Sequence, residues 1–169
     1  MSIIRNFLKA LFLFLPFSII SSAISQDNLN ATSKKPRIAK AKVVAISPDK
    51  FTRIPITEEH LNRQGCKFEI SQSKKIDDLT NIISDTIQPD SSNSAEPTNL
   101  RTAIYLYGTD GSTYRYLFNA SNTKGIITGT LIENSTSSQI TAKSDLIDQL
   151  KTLAGPDTLD QRFSDTCLN

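Results

Sequence analysis

The chain has 169 residues, enough for one domain, and its 19 basic and 17 acidic side chains give a net charge of +2. It contains one histidine and two cysteines. Such a balanced charge excludes the strong positive field of a general nucleic-acid-binding protein, and a single histidine argues against a histidine-rich metal centre.

Residues 1–25 predict a signal peptide. Arg5 and Lys9 precede the apolar run Ala10–Ile20, which is short for a membrane span of about 20 residues. Small residues up to Ser25 favour cleavage there, with an uncleaved anchor as the alternative. Cleavage would remove two basic residues and no acidic ones, leaving 17 of each sign. We therefore expect an exported, periplasmic or secreted protein with no stable membrane span and no affinity for nucleic acid.

The next segment, residues 26–40, is polar and basic and predicts a flexible arm before a single domain at 41–169. The apolar stretch Ala41–Ser47 predicts a first strand. A short helix is expected over Thr57–Gln64, capped by Thr57 and ended by Gly65. The alternating segment Cys66–Ser71 then predicts a second strand.

The segment Ser73–Gln88 predicts the main helix, because isoleucines and leucines recur in it at three- and four-residue steps. Pro89 provides its stop signal. The following segment, Gln88–Asn99, is rich in proline, serine and asparagine and predicts a loop.

The strongest local pattern lies in Arg101–Ile132. Residues 102–107 and 113–118 alternate in polarity around the turn Gly108–Gly111, which predicts a β-hairpin. Gly125–Ile132 predicts one more strand, and its Gly129 indicates a bulge or a close backbone approach.

After a second polar loop at Glu133–Gln139, the apolar stripe of Ala142–Ala154 predicts a final helix. The summed order indicates an α+β fold. We expect an antiparallel sheet of about five strands, two main helices packed on one face, and one short helix.

The two cysteines, Cys66 and Cys167, predict a disulfide because an even count in an exported chain favours pairing. The bond would close a loop of roughly 100 residues and contribute at most about 4–5 kcal/mol. Free thiols or pairing with another chain are the alternatives.

Motifs for catalysis are sparse. The sequence lacks a nucleophile elbow, a phosphate-binding loop and the common metal-binding motifs, so we expect no cofactor and no metal. The single histidine, His60, lies in the predicted short helix and is expected to be solvated. A glycosidase-type carboxylate pair would have to use acids such as Glu69 and Glu133.

All four tyrosines lie in the predicted hairpin, next to an arginine. Tyrosine and arginine are enriched at protein–protein interfaces, which predicts a partner-binding surface there. Alternation places Arg115 opposite to Tyr114 and Tyr116, so the five residues cannot share one face. The predicted surface consists of Tyr105, Tyr107, Tyr114, Arg115 and Tyr116.

In general character, a small exported α+β domain with a predicted disulfide resembles bacterial periplasmic immunity and inhibitor proteins. The resemblance implies a protein that binds and blocks a toxin or a hydrolase. Two alternatives remain: a small hydrolase of cell-envelope material, which would depend on His60 or Glu133, and a subunit of an envelope or secretion assembly. The oligomeric state is left open.

Overall fold

Seven antiparallel strands and three helices form the described part of the chain, residues 36–47, 54–91, 99–120 and 125–155 of a computed structural model. The helices are α1 (Glu58–Gln64), α2 (Ser73–Thr86) and α3 (Asp145–Ala154). The strands are β1 (Ile38–Ala45), β2 (Cys66–Ile70), β3 (Ile87–Pro89), β4 (Leu100–Gly108), β5 (Thr113–Asn119), β6 (Ile126–Glu133) and β7 (Thr136–Lys143).

The sheet has the order β2-β1-β4-β5-β6-β7-β3. Strands β4 to β7 form a meander in which each strand pairs with the next, and β1 pairs with both β2 and β4. Helix α2 carries the chain from the edge strand β2 to the opposite edge strand β3. The predicted antiparallel α+β class is confirmed, whereas the predicted count of about five strands is too low.

One strand that the sequence analysis did not predict is β7, because residues 133–139 do not form the expected polar loop. They include a tight turn around Asn134, which has a φ of 53°, and the first half of β7 pairs with β6 from there. Residues 133–138 are exposed on both faces, so their sequence shows no apolar alternation. The predicted helix at 142–154 consequently begins only at Asp145.

The other strand that the sequence analysis did not predict is β3. We expected Ile87 and Gln88 to end the main helix, but α2 ends at Thr86 and Ile87–Pro89 pairs with β7. A three-residue edge strand has no recognisable pattern of its own, since its conformation depends on the neighbouring strand. Pro89 suits an edge position because proline has no amide hydrogen to donate to a further strand.

Strand β1 also differs from the prediction, because it begins at Ile38 inside the predicted flexible arm, residues 26–40. Ile38 pairs with Gly108 and Lys40 pairs with Tyr107. The segment appeared polar because most of its side chains face solvent, while its backbone completes the sheet. The arm before residue 36 and the predicted signal peptide at 1–25 lie outside the described residues.

The sheet has a core on each face. Helices α2 and α3 pack over the larger core, as predicted for the two main helices. Its largest buried side chains are Phe118, Ile70, Leu79, Ile104, Leu146, Leu150 and Val43. Helix α1 contributes Leu61 to a second core on the opposite face, which also contains Val44, Ile46, Ile56, Leu100, Ala103, Tyr105 and Leu117.

Cys66 lies at the start of β2, half-buried against the larger core. Cys167 is outside the described residues, so the disulfide remains a prediction. None of the described helices is long and apolar enough to cross a membrane.

Gly129 marks a close approach, which is one of the two alternatives expected from its sequence position. It pairs directly with Phe118 on β5, whose ring is fully buried. A Cβ atom at Gly129 would lie 2.7 Å from Phe118 Cδ1 and 2.5 Å from the Leu117 carbonyl oxygen. Glycine therefore makes room for the largest side chain of the core.

We expect Gly129→Ala to lower the free energy of unfolding by about 1–3 kcal/mol, because the added methyl group overpacks this site. Urea denaturation followed by circular dichroism measures the loss. Ser138→Ala, at an exposed position on the neighbouring strand, is the control and should change stability by less than about 0.5 kcal/mol. Equal midpoints for both variants would contradict the observed packing of Phe118.

Candidate partner-binding surface

The five residues predicted as a partner surface are divided between the two faces of the β4–β5 hairpin. Tyr105 pairs with Arg115, and both lie on the face that carries α1. Tyr107 is on the same face, two residues further along β4. Tyr114 and Tyr116 point to the face covered by α2 and α3. The alternation therefore predicted the division correctly.

Helix α1 forms where the sequence predicted it. The hydroxyl of Thr57 caps it by accepting a hydrogen bond from the His60 amide at 3.3 Å. Glu58 and Glu59 suit the positive end of the helix dipole. Leu61, fully buried, fixes the helix to the sheet.

Gly65 ends α1, but not in the left-handed conformation that a C-terminal glycine usually supplies, since its φ is −73°. A Cβ atom there would lie 2.6 Å from the Leu61 carbonyl oxygen and 2.7 Å from Val44 Cγ1. Glycine is needed because the chain turns from the helix into β2 directly against β1.

Two polar side chains of α1 also bind the sheet. The hydroxyl of Tyr105 donates to Glu58 Oε1 at 3.1 Å and accepts from Asn62 Nδ2. Asn62 Nδ2 also donates to the Glu58 carbonyl oxygen at 3.1 Å. Tyr105 is only 5% exposed, so its hydroxyl needs these partners. This finding corrects its predicted place on the surface: Tyr105 is a core residue.

Arg115 extends the same network on β5. Its Nη1 lies 3.0 Å from Glu58 Oε2 and 3.2 Å from Glu58 Oε1. The Arg115 side chain is 37% exposed, so its guanidinium group is held in position while part of it remains accessible to a partner. A cation fixed in this way loses less conformational entropy on binding than a free arginine does.

Lys42 completes the network on β1. Its Nζ donates to Asn62 Oδ1 at 3.1 Å and lies 4.4 Å from the centre of the Tyr105 ring. This position is a cation–π contact in addition to the hydrogen bond.

The environment changes the pKa values of two of these groups. Burial raises the pKa of the Tyr105 hydroxyl well above its ordinary value, so it stays protonated and continues to donate to Glu58. Burial, with the positive charge of Lys67 as the next cause, lowers the pKa of Lys42. Both shifts follow from the cost of a charge in a partly dehydrated site.

A continuous row of paired residues crosses this face. In spatial order it consists of Glu69, Lys42, Tyr105, Arg115, Ile132 and Ser137. The adjacent row contains Lys40, Tyr107 and Thr113. We call these two rows, without the buried Tyr105, the α1-side face. The face combines aromatic, apolar and charged side chains in fixed register.

The turns at the end of this face are connected to one another. The Asn134 amide donates to the Thr113 carbonyl oxygen at 3.1 Å, and the Thr113 amide donates to Asn134 Oδ1 at 3.3 Å. In the β4–β5 turn, the Asp110 carboxylate accepts from the amide and hydroxyl of Ser112, which lowers the pKa of Asp110. The Asn134–Thr113 bonds join the β6–β7 turn to the start of β5, and the Asp110–Ser112 bonds hold the β4–β5 turn together.

On the opposite face, Tyr114 and Tyr116 are half-buried against the larger core. Burial, and next the charge of Glu133, raises the pKa of Tyr116. These two tyrosines therefore pack at the margin of the larger core, on the side of the sheet that carries α2 and α3.

The other candidate groups do not form a catalytic arrangement within the described residues. His60 Nδ1 lies 3.3 Å from the Thr57 hydroxyl on the solvent side of α1. Glu69 forms an ion pair with Lys40 at 2.7 Å, and four strand spacings, about 19 Å, separate β2 from the strand of Glu133. A glycosidase pair needs at most about 9.5 Å. No group of three possible metal ligands occurs among these residues.

No sequence pattern indicates that the side chains of Glu58, Asn62 and Lys42 meet at this surface. The four-residue step from Glu58 to Asn62, with Leu61 between them, does indicate a common helix face. It does not show which strand that face meets.

No protein-family model, curated protein or solved structure matches this chain.

We expect Tyr105→Phe to lower the free energy of unfolding by about 1–2 kcal/mol, because Glu58 and Asn62 lose a buried hydrogen-bond partner. Urea denaturation measures the change. Tyr107→Phe, at a half-exposed position, is the control and should cost less than about 0.5 kcal/mol. If the two variants are equally stable, the Tyr105 hydroxyl does not anchor α1.

A pH dependence follows from the raised pKa of Tyr105. In the unfolded chain the phenol ionises near pH 10, whereas the folded protein holds the proton to higher pH, so stability falls as pH rises above about 10. Urea denaturation at pH 9, 10 and 11 should show a shallower fall for Tyr105→Phe than for the wild type. Tyr107→Phe should keep the wild-type slope; if Tyr105→Phe keeps it too, the phenol is not the titrating group.

Proposed function

We propose that this chain is an exported protein-binding domain, periplasmic or secreted, which acts as an inhibitor or immunity-type protein by blocking a toxin or a hydrolase. The signal-like segment at 1–25 supports export. The main support for partner binding is the α1-side face, where Tyr107 and Arg115 stand on neighbouring strands of a fixed hairpin.

The chemistry of this face suits a protein partner. Tyr107 supplies an aromatic surface with a polar tip, Ile132 supplies apolar area, and Arg115 supplies a cation held by Glu58. Aromatic and arginine anchors of this kind dominate the energetics of protein interfaces. Since Glu58 holds Arg115 in place, binding requires little ordering of that side chain.

We place the contact on the α1-side face and not on the face of Tyr114 and Tyr116. The latter two tyrosines pack against the larger core, and α2 and α3 cover much of that side. This choice narrows the five-residue surface predicted from the sequence to Tyr107 and Arg115, together with their neighbours on the face.

Capture from its own cells tests the proposed function. The tagged full-length chain is expressed, purified from envelope and secreted fractions, and its stoichiometric partner is identified by mass spectrometry. The inhibitor role requires that the purified chain reduces the activity of that partner. A partner whose activity is unchanged, or a chain that captures none, would contradict the proposal.

Variants then locate the contact. Tyr107→Ala and Arg115→Ala should each raise the dissociation constant for the partner at least about tenfold, because each removes a central anchor of the contact. Calorimetry measures the change. Tyr114→Ala is the matched control, since it removes a half-exposed tyrosine from the opposite face of the same hairpin. If Tyr114→Ala lowers the affinity more than Tyr107→Ala does, the partner binds the face covered by α2 and α3, and the proposed contact on the α1-side face is wrong.

A further inference from the structure

Near the β2 edge, the α1-side face and the next row of the same sheet face, where Lys67 pairs with Val44, carry more positive than negative charge. Lys40, Lys42 and Lys67 lie on adjacent strands there, and Lys67 is a diagonal neighbour of Lys42 across the β1–β2 pair. The pKa of Lys42 is lowered first by burial and then by the charge of Lys67, which agrees with their proximity.

The nearby carboxylates are already paired with other cations. Glu69 lies 2.7 Å from Lys40, and Glu58 lies 3.0 Å from Arg115. Neither Lys42 nor Lys67 forms an ion pair with a carboxylate among the described residues. The charges of Glu69 and Glu58 act on Lys42 at longer range, but neither Lys42 nor Lys67 has a carboxylate within ion-pair distance in the described part of the chain.

The geometry also leaves donors available. An ammonium group has three N–H bonds, and Lys42 uses one for Asn62 Oδ1 while its positive charge faces the Tyr105 ring. Lys67 is exposed at the edge strand. A carboxylate placed between them would accept from both and would reduce their mutual repulsion.

We infer that Lys42 and Lys67 form an acid-recognition site that binds an acidic segment of the protein partner. This inference rests on the proposed function and adds the chemical character of the partner.

The pattern of charges favours a polypeptide over a nucleic acid or an anionic membrane. Glu69 on β2 pairs with Lys42 on one side, and Glu58 of α1 lies on the other side against Tyr105 and Arg115, so the cations do not form a continuous track. A phosphate backbone or a lipid surface presents uniform negative charge and would be repelled by these acids. A protein surface can place one or two carboxylates between neutral or basic groups.

The experiment uses the full-length chain and a fluorescein-labelled glutamate peptide, ten residues long with two adjacent glutamates among serines and glycines, with fluorescence anisotropy as the readout at 50 mM and 300 mM salt. We expect binding at low salt that weakens at high salt through screening. Lys67→Glu should weaken it at least about fivefold, because attraction becomes repulsion. Lys74→Glu is the control: it makes the same charge change at an exposed position on α2 and should leave the affinity within about twofold of the wild type.

Three results would overturn the inference: no binding of the glutamate peptide, equal losses for Lys67→Glu and Lys74→Glu, or tighter binding of a ten-nucleotide single strand or of anionic vesicles than of the peptide. Circular dichroism of both variants confirms that they are folded. Lys67→Ala supplies a milder change with the same expected direction if the reversal unfolds the chain.

These results are distinct from a failure of the proposed function. If a partner is captured through Tyr107 but the glutamate peptide does not bind, the partner-binding proposal stands and the acid-recognition site is wrong. If the peptide binds at Lys67 but no partner is captured, the site stands as an acidic-peptide site and the inhibitor role is wrong.

Discussion

Strand β4 belongs to both cores of the protein. Its alternate residues enter different clusters: Ile104 and Leu106 pack under α2 and α3, while Ala103 and Tyr105 pack under α1. A shift of one residue in its pairing with β1 or β5 would exchange these sets and expose both. The register of β4 therefore fixes the position of every side chain on the α1-side face, including those of its neighbours Lys42 and Arg115.

The short helix α1 depends on this register. Seven residues form a marginal helix in water, so α1 needs tertiary contacts to remain folded. Leu61 supplies apolar burial, and Glu58 and Asn62 satisfy the hydroxyl of Tyr105. The same two side chains also bind Arg115 and Lys42, so the residues that hold α1 on the sheet also orient the groups proposed to meet a partner.

This arrangement relates the two functional proposals. A protein that blocks another protein needs anchors held in place before the encounter, and charges that guide the approach. The Glu58 carboxylate of α1 holds Arg115, while Asn62 of the same helix accepts from Lys42, and Lys67 lies diagonally across from Lys42 on β2. The aromatic anchor Tyr107 lies beside Lys40, between the charged region and the hairpin tips.

Sequence patterns alone predict the antiparallel α+β class, the β4–β5 hairpin, the two main helices and the separation of Arg115 from Tyr114. These features follow from local periodicity, because residues two apart in a strand or three to four apart in a helix share a face. By contrast, the strands β3 and β7, the burial of Tyr105 and the contact between Lys42 and Asn62 depend on long-range packing. The polar segment of β7 has no apolar pattern, and β3 is too short to have one. The network around Tyr105 joins residues more than 40 positions apart, and their proximity depends on strand order and on the face that α1 covers.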